Sequence, residues 1–229
     1  MERRGFIKFC AASVAAAGTC EVAADARAQL YAKARLIDEK GAPLRASAIP
    51  VNRNLIFHYP FAATPCFLLN LGKSVKPAQL KTLAGQPYEW HGGVGAARSV
   101  VAYSAICAHR LSYPTKDISF ISFRAEKSAR NRIANVIHCC SEHSQYDPAE
   151  GARVVAGPAP QPLASILLEW DSASDEIHAV GTLGGEMFAE FFDKFGFRLQ
   201  LEHGTPRATV SGTCVVQELD NYCKQQVKC

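Results

Sequence analysis

Apolar positions along this chain come in short runs, without the long stripes of extended helices. Residues 55–58, 66–71, 99–106, 118–123, 134–138, 153–155, 165–170 and 176–180 are β-branched, aromatic or aliphatic stretches of three to eight residues, separated by clusters of Gly, Pro, Asp and Asn. Runs of this length at such spacing predict strands of an all-β sandwich or barrel. Residues 73–98 carry less strand signal and hold Gly85-Gln86-Pro87, Gly92-Gly93 and Gly95, which predicts a long connection. The period changes only near the C-terminus. There Phe188, Phe191, Phe192 and Phe195 recur at i, i+3, i+4 and i+7, one face of a helix that starts after Gly184-Gly185 and stops at Gly196. This aromatic face is expected to pack on the β core.

Composition adds bounds. The 229 residues, 48% of them hydrophobic, suffice for one sizeable core with appendages. A net charge of +4 without a Lys/Arg run beyond Arg3-Arg4 offers no nucleic-acid footprint, so the expected partners are proteins. Gly92-Gly93-Val94-Gly95 lacks the Lys and Ser or Thr of a phosphate loop and reads as a tight turn. The N-terminus reads as an export signal over residues 1–28: Arg3-Arg4 precede Phe6-Ile7-Lys8, an Ala-rich run follows to Gly18, and Ala26-Arg27-Ala28 forms a small-x-small cleavage site before Gln29. It resembles a twin-arginine signal, a route that carries folded proteins, and implies a periplasmic destination, with membrane association if the signal stays uncleaved. The apolar run is shorter than the roughly 20 residues of a membrane span.

The candidate chemistry lies in two stretches, Cys107-Ala-His109 and Cys140-Ser-Glu-His143. Each pairs one thiolate with one imidazole. Two cysteines on one iron and two histidines on the other hold a 2Fe-2S cluster asymmetrically and raise its potential above that of an all-cysteine cluster. A structural zinc site usually shows C-x2-4-C spacing, absent here, and a catalytic Cys-His pair leaves the second pair without a role. Within Ile137-His138-Cys139-Cys140-Ser141-Glu142-His143, the C-x-x-H spacing favours Cys140 with His143; Cys139 as the sulfur ligand, or His138 in place of His143, remains open.

C-x-H followed by C-x-x-H resembles the Rieske iron-sulfur family, and the resemblance runs from residue 55 to about 180. Tyr146-Asp147-Pro148 and Gly151 resemble the aromatic-Asp and turn after the family's second histidine. Gly157-Pro158-Ala159-Pro160-Gln161-Pro162-Leu163 resembles the Pro loop that shields the cluster. Tyr59-Pro60, Pro65-Cys66 and residues 101–109 look most like the small subunit of arsenite oxidase and its relatives. The resemblance implies a Rieske-type antiparallel β sandwich or barrel with a cluster-binding tip over residues 29–184, its cluster-binding part about 100–163, followed by a C-terminal helix and cysteine-containing extension over 185–229. It implies one 2Fe-2S cluster on Cys107, His109, Cys140 and His143, with Ser144, Tyr146, Pro158 and Pro160 around it.

Two departures from the family matter. The positions of the bridging cysteines of cytochrome bc-type members hold Ser112 and Glu142, and Ser144 and Tyr146 follow His143 by one and three residues where the family spaces them by two and four. Of the other cysteines, Cys66, Cys214, Cys223 and Cys229 are candidates for disulfides in an oxidising compartment, with one tail cysteine paired to Cys66. The implied role is single-electron transfer as the small subunit of a periplasmic oxidoreductase with a larger, molybdenum-containing catalytic subunit. Electrons would leave to a c-type cytochrome or small copper protein. A stand-alone redox carrier, a quinol-oxidising subunit of a bc-like complex and a structural zinc protein are the alternatives.

Overall fold

The computed structural model describes residues 28–128 and 131–229; the expected export signal, apart from Ala28, lies outside them. The fold is mostly β, as the short apolar runs predict. Eight strands form the main sheet in the order Gly212–Val215, Ala28–Ile37, Ile177–Leu183, Ser165–Trp170, Val100–Ser104, Pro65–Asn70, Leu55–His58 and Gln217–Glu218. A second sheet holds Arg153–Ala156, Ser144–Asp147, Val136–Cys139 and Ile121–Arg124. Among the described residues no helix is long and apolar enough to cross a membrane.

Pro65–Asn70 is buried along its whole length, and its period of two feeds two cores. Phe67 and Leu69 point into a core with Ile56, Val101, Tyr103, Ile137 and Tyr146. Cys66 and Leu68 point the other way, onto Leu55, Phe57, Val100 and Ala102. The smaller sheet thus covers one face of the main sheet, and the sulfur-bearing loops emerge above that shared core.

Two elements differ from expectation. The segment expected as a long connection contains the hairpin Ala78–Lys81 and Pro87–Trp90, whose Leu80, Tyr88 and Trp90 are buried in the core. Its apolar residues alternate with polar ones over only four positions per strand, too few for a clear signal. The C-terminal helix spans Phe188–His203, running through Gly196 and ending at Gly204, whose φ of 66° places it in the left-handed region. Gly196 does not stop it, because Leu199 continues the buried face of Phe188, Phe191 and Phe192. These residues close a third core over Ala63, Ile106, Leu111 and Tyr113, so the helix braces both sides of the loop that carries Cys107 and His109.

Candidate metal centre

The first loop follows Val100–Ser104. It is closed by Cys107 N–H donating to Ser112 O at 2.8 Å and Leu111 N–H donating to Cys107 O at 2.9 Å, with Leu111 at a φ of 62°. Lys194 on the helix donates to Arg110 O at 2.9 Å. Cys107 is fully buried, and its Sγ accepts the backbone N–H groups of His109 and Arg110. Ser112 thus contributes a carbonyl that ties the loop.

The second loop is the turn of a hairpin in which Cys139 faces Ser144, His138 faces Gln145 and Ile137 faces Tyr146. Alternation decides where each side chain goes. Ile137 and Cys139 share the face turned into the common core, whereas His138 and Cys140 share the opposite face. Cys139 Sγ accepts the N–H groups of Ser141 and Glu142, the same two-donor cradle as at Cys107. His143 sits exposed at the tip with a φ of 60°.

The two buried sulfurs meet across the loops. The Cys139 thiol donates to Cys107 Sγ, which holds the Cys107 thiol below its ordinary value, while the neighbouring Cys107 and burial push Cys139 up. Tyr146 Oη lies 3.2 Å from Cys107 Sγ and accepts Ala108 N–H at 3.1 Å; desolvation and the adjacent Cys107 push its phenol well up. On the same two loops, His109 Nδ1 and Ser144 Oγ are buried with no partner among the described residues.

The spacing-based assignment of the second sulfur does not match this arrangement. Cys140 is bonded to Cys229 in a disulfide. Cys139, expected as a neighbour, is the sulfur that faces Cys107. The signal available in the sequence was the strand alternation leading out of Val136–Cys139, together with Tyr146. The expected pairing of Cys66 with a tail cysteine is also replaced: among the described residues Cys66, Cys214 and Cys223 are buried free thiols, donating to the carbonyls of Tyr59, His58 and Gln225, each at 3.0 Å. Burial pushes Cys66 well up and Cys214 up to about 11.

In the Pro loop, Pro158 and Pro160 are exposed. The close approach belongs to Gly157: a Cβ there would stand 2.4 Å from His143 O and 2.6 Å from Ser144 Cα. Gln161 anchors the loop, accepting Leu83 N–H at 2.7 Å and donating to Gly185 O at 3.0 Å.

This donor set fits an iron-sulfur group. Two buried sulfurs in amide cradles are soft anionic ligands once deprotonated, and the orphaned nitrogen of His109 and hydroxyl of Ser144 are groups that a bound cluster would satisfy. No protein-family model matches the chain. Among solved structures, the crystal structure of the soluble domain of the Rieske protein II (soxF) from Sulfolobus acidocaldarius is similar at 24% identity and a TM-score of 0.48, over 78% of this chain and 85% of that one.

Proposed function

We propose that this protein transfers single electrons through a Rieske-type 2Fe-2S cluster. The observation that carries the reading is the convergence of two loops on one buried sulfur pair, with a tyrosine hydroxyl against one sulfur and, on the same loop, a buried imidazole nitrogen that has no partner among the described residues. Cys107 and Cys139 would hold one iron, His109 and His143 the other; the bound group supplies a one-electron couple. The chain's own residues would do three things. Their amide cradles offset the charge on sulfur, Tyr146 donates to Cys107 Sγ, and the exposed tip at His143 brings a histidine to the surface where a partner can dock. Tertiary alternation supports Cys139 in place of Cys140.

Within that reading, the protein serves as the small subunit of a periplasmic oxidoreductase. The twin-arginine-like leader supports export after cofactor loading, and the sequence resemblance to the arsenite oxidase small subunit supports a large molybdenum-containing partner. A c-type cytochrome or small copper protein would accept the electrons. The test is to purify the protein and record optical and low-temperature paramagnetic resonance spectra after reduction, with iron and sulfide analysis. Equal iron and inorganic sulfide and a paramagnetic reduced state are expected, whereas a colourless zinc-containing sample overturns the reading. Cys139→Ser is expected to abolish cluster binding and Cys140→Ser to preserve it; the reverse outcome restores the assignment based on C-x-x-H spacing.

A further inference from the structure

On the face of the hairpin turned away from Cys107 and Cys139 lies a second group of ligating side chains. His138 is fully buried, Cys140 and Cys229 are half-buried, and one ligating atom of each lies within 4.8 Å of the others. Cys229 Sγ stands 3.5 Å from both Nδ1 and Nε2 of His138. Cys140 and Cys229 come from distant parts of the sequence, 89 residues apart, and their sulfurs are joined. We propose that His138, Cys140 and Cys229 form a second metal site gated by thiol redox state: with the disulfide open they take a borderline-soft divalent cation of the zinc class, and with it closed they take none.

The spacing supports such a cation. Zinc bonds of about 2.3 Å to sulfur and about 2.0–2.1 Å to nitrogen, at tetrahedral angles, place sulfur and nitrogen about 3.5 Å apart and the two sulfurs about 3.8 Å apart. The Cys229–His138 spacing is already present and the Cys140 sulfur lies within 4.8 Å of the imidazole, so the main change required is separation of the two sulfurs. The tail keeps Cys229 in place when they do, because its anchors are independent of the disulfide. Gln225–Gln226 pairs in parallel with Ile118–Ser119, Val227 N–H donates to Ser119 O at 2.8 Å, Arg124 donates to Val227 O at 2.5 Å, and Ser128 Oγ donates to Cys229 O at 2.6 Å. Three protein ligands leave a fourth position for water, the pattern of an open zinc site.

The switching step balances. A dithiol reductant delivers two electrons and two protons to the S–S bond and is itself oxidised to a disulfide, leaving two thiols on the protein. The cation then displaces those two protons and is held by two thiolates and a neutral imidazole. The site uses none of Cys107, Cys139 or His109, so it stands apart from the electron-transfer reading.

Cobalt(II) serves as the probe. The full chain is titrated with Co²⁺ before and after reduction by a phosphine, and the thiolate-to-cobalt absorption is read, with Zn²⁺ as competitor. In the cluster-loaded protein, where Cys107 and Cys139 are occupied, one equivalent is expected to bind after reduction of the disulfide and none before it. Cys229→Ser and Cys140→Ser should each weaken binding at least about tenfold, and Cys107→Ser should leave it unchanged. Circular dichroism checks that Cys229→Ser keeps the fold, and Cys140→Ser provides the same test if it does not. Absence of the band in the reduced protein, equal binding to Cys229→Ser, or loss of the band in Cys107→Ser overturns the proposal. The last outcome would place the metal on the other sulfur pair and leave the cluster reading intact.

Discussion

The hydroxyl of Tyr146 touches both Cys107 Sγ and the backbone N–H of Ala108, so one atom links the sulfur to the loop that carries it. A donor to sulfur stabilises the more negative, reduced cluster and raises its potential. A hydrogen bond to a charged acceptor is worth roughly 1.5 kcal/mol, and for one electron this is about 60 mV. If the proposed cluster is bound, Tyr146→Phe is therefore expected to lower its potential by about that amount without loss of iron, as protein-film voltammetry would show. Away from the site, His58 lies against Tyr222 and His203, where burial first, and then the His203 and Lys116 charges, push it down to about 4 from an ordinary 6.5. Between these values the unfolded chain binds a proton that the folded one refuses. Stability is therefore complete above pH 6.5, falls as pH drops toward 4 and levels off below it, a loss of at most about 3 kcal/mol. Urea midpoints measured from pH 7.5 to 4 should trace this fall, and His58→Gln should flatten it.

At the scale of elements, the short hairpin across Cys139 and Ser144 decides which chemistry each neighbouring residue meets. One step along the strand turns a side chain from the shared core to the tail, so adjacent cysteines end in different sites. Gly157 keeps the Pro loop against this hairpin at a φ of 84°, and alanine there would meet the backbone of His143 and Ser144. Gly157→Ala is expected to cost about 2–4 kcal/mol, from the left-handed conformation and the overlap together, and to reduce iron retention. Chemical denaturation and iron analysis of the same sample check both effects. On the other loop, Phe191 is fully buried against Tyr113, with ring centroids 4.8 Å apart. Phe191→Ala should lose about 3–5 kcal/mol and speed amide exchange across residues 107–112, since the helix braces Ile106 and Leu111. Unchanged exchange there would remove the helix from the support of the site.

For the whole molecule, the tail is the long-range fastener. The Cys140–Cys229 bond spans 89 residues, and cross-linking a loop of that size restricts the unfolded chain by about 4–5 kcal/mol in the chain-entropy account. Reduction should lower the unfolding midpoint accordingly, and the denatured, unreduced chain should show two fewer reactive thiols than the reduced one. Equal thiol counts would remove the fastener. The two faces of Pro65–Asn70 explain why one fold carries two cores and why the sulfur-bearing loops sit over only one of them.

Local pattern in the sequence determined the β class, most strands of the two main sheets, the presence of a C-terminal aromatic helix and the two loops that carry the sulfurs. These follow from side-chain periodicity and from residues in fixed succession. Helix length depended on Leu199 finding the third core, which outweighed Gly196. The hairpin within residues 73–98 depended on Leu80, Tyr88 and Trp90 reaching the shared core, a long-range gain invisible in four-residue strands. Tertiary structure alone brought Cys139 rather than Cys140 against Cys107 and gave Cys140 its partner. Sulfurs pair by distance and direction in space, and neither strand facing nor the arrival of the last residue beside His138 is encoded in C-x-x-H spacing.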